Sequence, residues 1–234
     1  EVKRNWRIRA NYPFSFLMNM IQNAIFLGIA IVIIMKVSSL DQALCALLWP
    51  IAITTIGSLC SNIQEDIELG TLERIVSSKY SFLSIVLSRL ISDILYLVPF
   101  IFTSFVLFSF FVKINLSILY ILIITVIILL TGVGIGLILA GLLTFYKNIG
   151  PLPNLVMLLT MAIMVLPWEK WGTFLQSVSI LVLPFISVTL FAQTDNNLFC
   201  LIGFANALLY LGIGFIIFKR LFILTKRKRG LSTY

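Results

Sequence analysis

The chain has 234 residues, of which 60% are hydrophobic and only 11% are charged, and its formal net charge is +8. A soluble domain usually carries about 25% charged residues, because water must cover its surface. This composition and the long apolar runs exclude an ordinary soluble domain and predict an all-α integral membrane protein, since about 20 apolar helical residues cross the hydrocarbon core of a bilayer.

The first predicted element is an amphipathic helix on the membrane surface, over residues 1–13. Its basic residues are interleaved with Trp6, Ile8 and Tyr12, which suits the boundary between lipid headgroups and acyl chains. A plain solvated tail is the alternative. The apolar run that follows has full length and no small-residue cleavage site, so we expect no cleaved signal peptide.

Six transmembrane helices are predicted next. They cover residues 14–35, 43–63, 90–112, 116–143, 152–166 and 198–224. The fourth would reach about 42 Å at 1.5 Å per residue and must tilt or protrude.

A further apolar stretch over residues 173–191 contains Pro184. Proline removes a helix hydrogen bond and favours a break. We therefore expect a re-entrant pair of half-helices within an extracellular segment, residues 168–197, rather than a seventh span.

The distribution of lysine and arginine predicts a multi-pass protein of the cell membrane with both termini in the cytoplasm. In that orientation 14 of the 17 basic residues are cytoplasmic, as the positive-inside rule requires. A seventh span would place the basic C-terminal tail outside. Because basic residues beside the membrane attract anionic lipid, the lipid bilayer explains the net charge and no nucleic-acid partner is expected.

The sequence offers no catalytic, metal-binding or nucleotide-binding pattern. It contains no histidine, and Cys45, Cys60 and Cys200 lie far apart in apolar runs, so we predict no metal site, no bound cofactor and no enzymatic activity in this chain. The glycine-rich P-loop pattern with its lysine is also missing. The remaining candidate glycines predict close helix packing, because three small residues lie four apart in one apolar run: Gly132, Gly136 and Ala140.

The predicted cytoplasmic loop over residues 64–80 concentrates acidic side chains. Four of the nine acidic residues of the chain lie within nine positions: Glu65, Asp66, Glu68 and Glu73. They suit a short amphipathic helical element with Gly70 as a hinge or cap, which could dock into a groove of a soluble partner. A solvated loop without a partner is the alternative.

Two ionisable residues lie at the cytoplasmic start of the third predicted span. Arg89 and Asp93 are four apart, so they can pair on one helix face and reduce the cost of placing charges near the membrane. We predict a structural ion pair, with a role in gating or substrate contact as the alternative.

The acidic loop resembles that of the permease subunits of type-2 ABC exporters, in which an acidic residue and a short gap precede Gly-Thr-Leu-Glu. The resemblance covers essentially the whole chain, including the basic surface helix, the six spans and the proline-broken insertion. It implies that the loop is an ATPase-coupling helix, formed by Glu65, Asp66, Glu68, Gly70, Thr71, Leu72, Glu73 and Arg74. It also implies an extracellular gate around the re-entrant segment, at Pro167, Trp168, Trp171 and Pro184.

The same resemblance implies the partners and the activity. Two permease subunits, identical or related, would assemble with two ABC ATPase subunits, which would hold ATP and Mg. The assembly would export cargo by alternating access, and the apolar spans favour a hydrophobic or amphipathic cargo such as a peptide, an antibiotic or a lipid-like molecule. The alternatives are a secondary transporter or channel without an ATPase, and a membrane immunity or scaffold protein.

Overall fold

The structure is a computed structural model that describes residues 21, 25, 28, 40–72, 82–111, 118–146, 149, 151–165 and 197–228. Five α-helices and no strand lie in this part of the chain, which confirms the all-α class. The helices are α1 Leu40–Glu68, α2 Phe82–Phe111, α3 Ile118–Tyr146, α4 Leu152–Val165 and α5 Asn197–Lys228.

Each of the last five predicted spans coincides with one of these helices, and the largest differences are extensions of α1 and α2 beyond their apolar runs. Helix α1 continues beyond the apolar run to Glu68, and α2 begins at Phe82, before its apolar run. Two segments are long and apolar enough to cross a membrane by length and composition, Leu122–Tyr146 in α3 and Leu198–Thr225 in α5. The predicted surface helix over 1–13, the predicted re-entrant segment over 168–197 except for its last residue, and most of the predicted first span lie outside the described residues.

Helix α3 packs against α1 through its glycines. A Cβ atom added at Gly132 would lie 3.0 Å from Thr55 Oγ1, and one added at Gly136 would lie 2.6 Å from Leu59 Cδ1. Ala140, one turn further, has no exposed surface. These small residues lie where the backbones of the two helices come close. Since the contacts advance together along both chains, α1 and α3 run in the same direction.

The opposite face of α3 packs even more closely against α5. A Cβ at Gly134 would lie 2.6 Å from the carbonyl carbon of Tyr210, and a Cβ at Gly214 would overlap the carbonyl oxygen of Gly134. Further along, Gly141 lies against Phe218. Helices α3 and α5 therefore also run in the same direction, with their backbones nearly touching at the Gly134–Gly214 crossing.

The ends of several helices meet in one buried cluster, which we call the junction and define by Leu72, Phe82, Leu143 and Phe218. The ring of Phe82 stacks on those of Phe222 and Phe218, with centroids 4.6 and 5.7 Å apart. The junction thus joins the end of α1, the start of α2, the end of α3 and the last third of α5.

The outward faces of α2 and α5 carry large apolar side chains. On α2 these are Ile91, Leu95, Val98 and Phe102, spaced so that they form one stripe. On α5 they extend from Leu198 to Leu224, a length of about 39 Å at 1.5 Å per residue. An exposed apolar surface of this extent suits contact with lipid acyl chains or with another membrane helix.

The Gly134–Gly214 crossing predicts a position-specific effect on stability. Replacing Gly214 by Ala should lower the free energy of unfolding by about 1–3 kcal/mol, because the added methyl group meets the backbone of α3, which cannot yield easily. Gly212→Ala is the matched control, since its methyl group would meet nothing within 4 Å and should be neutral or slightly stabilising. Thermal unfolding in detergent measures both; equal midpoints would contradict the close approach of the two helices.

Candidate functional site

The acidic segment begins as the last turns of α1 and ends in a glycine cap. The backbone N–H of Leu69 donates to the carbonyl oxygen of Glu65 at 2.9 Å, and that of Gly70 donates to Ile67 at 3.2 Å. Gly70 has a φ of 65°, in the left-handed region that glycine adopts without steric cost. Of the hinge and the cap that the sequence predicted for Gly70, the cap is the arrangement found here.

The carboxylate of Asp66 connects the end of α1 to Thr71 and to α2. Thr71 Oγ1 donates to Asp66 Oδ1 at 3.1 Å, and Arg89 Nη1 on α2 lies 2.5 Å from Asp66 Oδ2. Asp66 is buried and the Arg89 side chain is 22% exposed, so both charges are partly removed from water and hydrogen-bonded to each other. One side chain thus holds the end of α1, the turn after Gly70 and α2.

Leu72 fixes the same turn through apolar contact. It is only 3% exposed and lies in the core cluster with Leu59 and Ile63 of α1 and Phe82 and Val86 of α2. The Gly-Thr-Leu sequence therefore has a separate physical task at each position. Gly70 ends the helix with a positive φ, Thr71 donates a hydrogen bond to Asp66, and Leu72 is buried in the junction.

The opposite side of the helix end faces outward. Glu65 and Glu68 are exposed, and the side chain of Leu69 is 67% exposed. Gln64 Nε2 donates to Glu68 Oε1 at 2.9 Å. We call Glu65, Glu68 and Leu69 the acidic face. It presents two carboxylates and one large apolar side chain on a terminus whose inward side is anchored.

The ionisable residues of α2 have partners that the sequence did not indicate. The predicted pair joined Arg89 to Asp93, whereas the salt bridge seen for Arg89 is with Asp66. Asp93 is buried, and its Oδ2 accepts a hydrogen bond from Asn62 Nδ2 at 2.9 Å. The prediction therefore identified the two charged residues but not the partner that α1 supplies to each.

Several predicted site residues are outside the part of the chain that the structure describes. These are Glu73 and Arg74 of the predicted coupling helix and all four residues of the predicted gate, Pro167, Trp168, Trp171 and Pro184. Asn62 was missing from the predicted site. The equal spacing of Asn62 and Asp66 on one helix and of Arg89 and Asp93 on the next is a signal that could have revealed Asn62.

The different environments of neighbouring acidic residues predict different effects on stability. Asp66→Ala should lower the free energy of unfolding by about 1.5–3 kcal/mol, the usual range for a hydrogen bond to a charged group, because it removes the carboxylate that pairs with Arg89 and accepts a hydrogen bond from Thr71. Glu65→Ala changes an exposed residue and should stay within about 0.5 kcal/mol of the parent chain. Chemical or thermal unfolding in detergent tests the pair, and a larger loss for Glu65→Ala would refute this assignment.

The chain was compared with models of known protein families, with curated proteins and with solved structures. A family model described as ABC-2 type transporter matches residues 1–165, which include the acidic face and the junction residues of α1, α2 and α3. The match confirms the resemblance that the acidic loop indicated. No curated protein and no solved structure gives a significant match to the chain.

Proposed function

The chain belongs to the ABC-2 type transporter family, and on that premise we propose that it is the membrane-spanning permease subunit of an ATP-driven exporter. Two copies of an ABC ATPase subunit bind it from the cytoplasm and hold ATP and Mg. A second permease subunit, identical or related, completes the pathway. The chain itself binds no cofactor and catalyses no reaction.

The acidic face is the observation that carries this proposal. Its two exposed carboxylates and the 67% exposed Leu69 match what a docking element needs, namely an apolar anchor and charges that select a basic partner. The anchoring of Asp66 and Leu72 supports the same role, because a docking element can transmit force only if its base is fixed.

The directions of the helices support a cytoplasmic end of α5 and disfavour a seventh span. Helices α3 and α5 run in the same direction, which fits an odd number of predicted spans between them, namely the one that contains α4. A seventh span would make that number even. With the acidic face in the cytoplasm, the basic end of α5, with exposed Lys219 and Arg220, is cytoplasmic too, as the positive-inside rule favours.

Transport follows from alternating access. ATP binding draws the two ATPase subunits together, and each displaces the acidic face that is docked on it. Because the ends of α1, α2, α3 and α5 share one buried junction, this displacement reaches the membrane-spanning helices. Cargo moves outward when the two states of the permease bind it with different affinities. The apolar character of the helices favours a hydrophobic or amphipathic cargo, such as a peptide, an antibiotic or a lipid-like molecule.

Charge reversal at the acidic face tests the proposal. The double change Glu65→Lys and Glu68→Lys should weaken association with the ATPase by about tenfold or more, because it faces like charges across the interface. The measurement is co-purification of the ATPase with tagged permease in mild detergent, followed by ATP hydrolysis. Asn154→Lys, which adds a positive charge at an exposed position of α4, is the control and should retain the ATPase.

The outcomes separate the alternatives. Loss of the ATPase from the double variant alone supports docking at the acidic face. If no ATPase co-purifies with the unaltered chain under any gentle condition, the exporter proposal fails, and a channel or a scaffold replaces it.

The exposed leucine supplies an independent test. Leu69→Ala should weaken ATPase binding by about tenfold, as expected for an apolar anchor at the centre of an interface. It should leave the thermal midpoint unchanged, because the side chain packs little within this chain. Leu155→Ala, at an exposed position of α4, is the control. Unchanged binding by the Leu69 variant would remove the apolar anchor from the proposal.

A further inference from the structure

Two polar contacts join α1 to α2 one helical turn apart. Asn62 Nδ2 donates to Asp93 Oδ2 at 2.9 Å, and Arg89 Nη1 lies 2.5 Å from Asp66 Oδ2. Asn62 and Asp66 are four residues apart on α1, and Arg89 and Asp93 are four residues apart on α2. Helix α1 ends at the junction and α2 begins there, so the two helices are antiparallel. The two contacts therefore lie side by side between them, and we call each contact a rung.

The rungs are embedded in apolar packing. Asp66 and Asp93 are both buried, and the surrounding core includes Ile63 from α1 and Val86 and Leu90 from α2. In such surroundings a hydrogen bond is electrostatically stronger than in water, and a polar group that loses its partner is costly. Sliding α1 along α2 by one residue would break both rungs at once, so the pair of helices has one strongly favoured register.

The contact of α1 with α3 is of a different kind. There the helices meet through Gly132 and Gly136 against Thr55 and Leu59, which is close packing without a directional bond between the helices in these contacts. The α1–α2 pair is therefore fixed in register by directional polar contacts, whereas the α1–α3 contacts at these glycines are close packing.

The lower rung, the salt bridge between Arg89 and Asp66, lies directly behind the acidic face. Asp66 is adjacent to Glu65 in the sequence, and it also accepts the hydrogen bond from Thr71 in the turn after Gly70. The upper rung, the Asn62–Asp93 hydrogen bond, lies one turn earlier on α1. Neither of its residues is in the predicted docking surface.

From this geometry we infer that Asn62, Asp66, Arg89 and Asp93 form a two-rung latch that makes α1 and α2 move as one body when the ATPase displaces the acidic face. The inference rests on the proposed function, because the displacing partner is the ATPase. The four side chains are positioning residues: they carry motion from the docking site into α2 and do not themselves contact the ATPase.

The upper rung is the place to test the latch, since it lies away from the acidic face. Asn62→Leu removes the donor while keeping a branched side chain of four heavy atoms. The exchange Asn62→Asp with Asp93→Asn restores one amide and one carboxylate in reversed positions. A cysteine at Ser84, exposed near the start of α2, reports motion of α2 through its rate of reaction with a water-soluble maleimide. The same chain without the Ser84→Cys change measures labelling of the native cysteines.

The measurement compares labelling with and without ATP plus vanadate, in the complete permease–ATPase complex in lipid nanodiscs. We expect ATP to change the labelling rate in the parent complex. Asn62→Leu should keep the ATPase bound but reduce this change by about fivefold or more, within the range of couplings between distant sites. The exchanged pair should recover most of it. A full ATP response in Asn62→Leu with the ATPase bound would overturn the latch, as would an exchanged pair that folds normally but does not recover.

A second measurement keeps the latch separate from the proposed function. If no ATPase binds the unaltered chain, the proposed function fails and the transmitting role fails with it. Thermal unfolding of the permease alone then decides whether the rungs hold the helices together. A lower thermal midpoint for Asn62→Leu that the exchanged pair restores supports the two-rung latch. Equal midpoints for the parent chain, Asn62→Leu and the exchanged pair overturn it.

Discussion

The close approach of α3 to α5 at Gly134 and Gly214 is the contact on which the rest of the arrangement depends. In a bilayer, apolar side chains gain little by leaving the acyl chains, so helices associate through close packing and polar contacts. The absence of side chains at these two glycines lets the backbones meet. With α5 on one face and α1 on the other, α3 becomes the central helix, and all three run in the same direction.

That common direction explains why the junction exists. Parallel α1, α3 and α5 bring their later parts to one end of the bundle, where Leu72, Phe82 and Phe218 bury one another. Leu72, two residues after Gly70, is packed against the end of the bundle, and the acidic face lies on the exposed side of the end of α1. A surface held in this way can pass a push or a pull to several helices at once.

Much of the fold follows from hydropathy, because the thickness of the bilayer sets the length of an apolar run. This is why the last five predicted spans coincide with helices. The extensions of α1 to Glu68 and of α2 back to Phe82 gave no such signal, since the added turns are polar or mixed and are stabilised by contacts at the junction. For the candidate site, the motif residues could be located, but the Arg89–Asp66 salt bridge could not. Spacing within one helix suggests partners on that helix, whereas the observed partner depends on the register between two helices.

Helical geometry also explains how adjacent acidic residues acquire opposite tasks. Each residue turns the helix by about 100°, so Glu65 and Glu68 share a face while Asp66 points away from it. The inward carboxylate is neutralised by Arg89, and the outward pair remains exposed in a chain whose formal net charge is +8. The basic residues are attracted to an anionic leaflet, and the same field repels the acidic face. In the proposed complex this repulsion directs Glu65 and Glu68 away from the lipid surface and toward a basic partner in the cytoplasm. The salt bridge of the adjacent Asp66 with Arg89 connects the same helix end to α2.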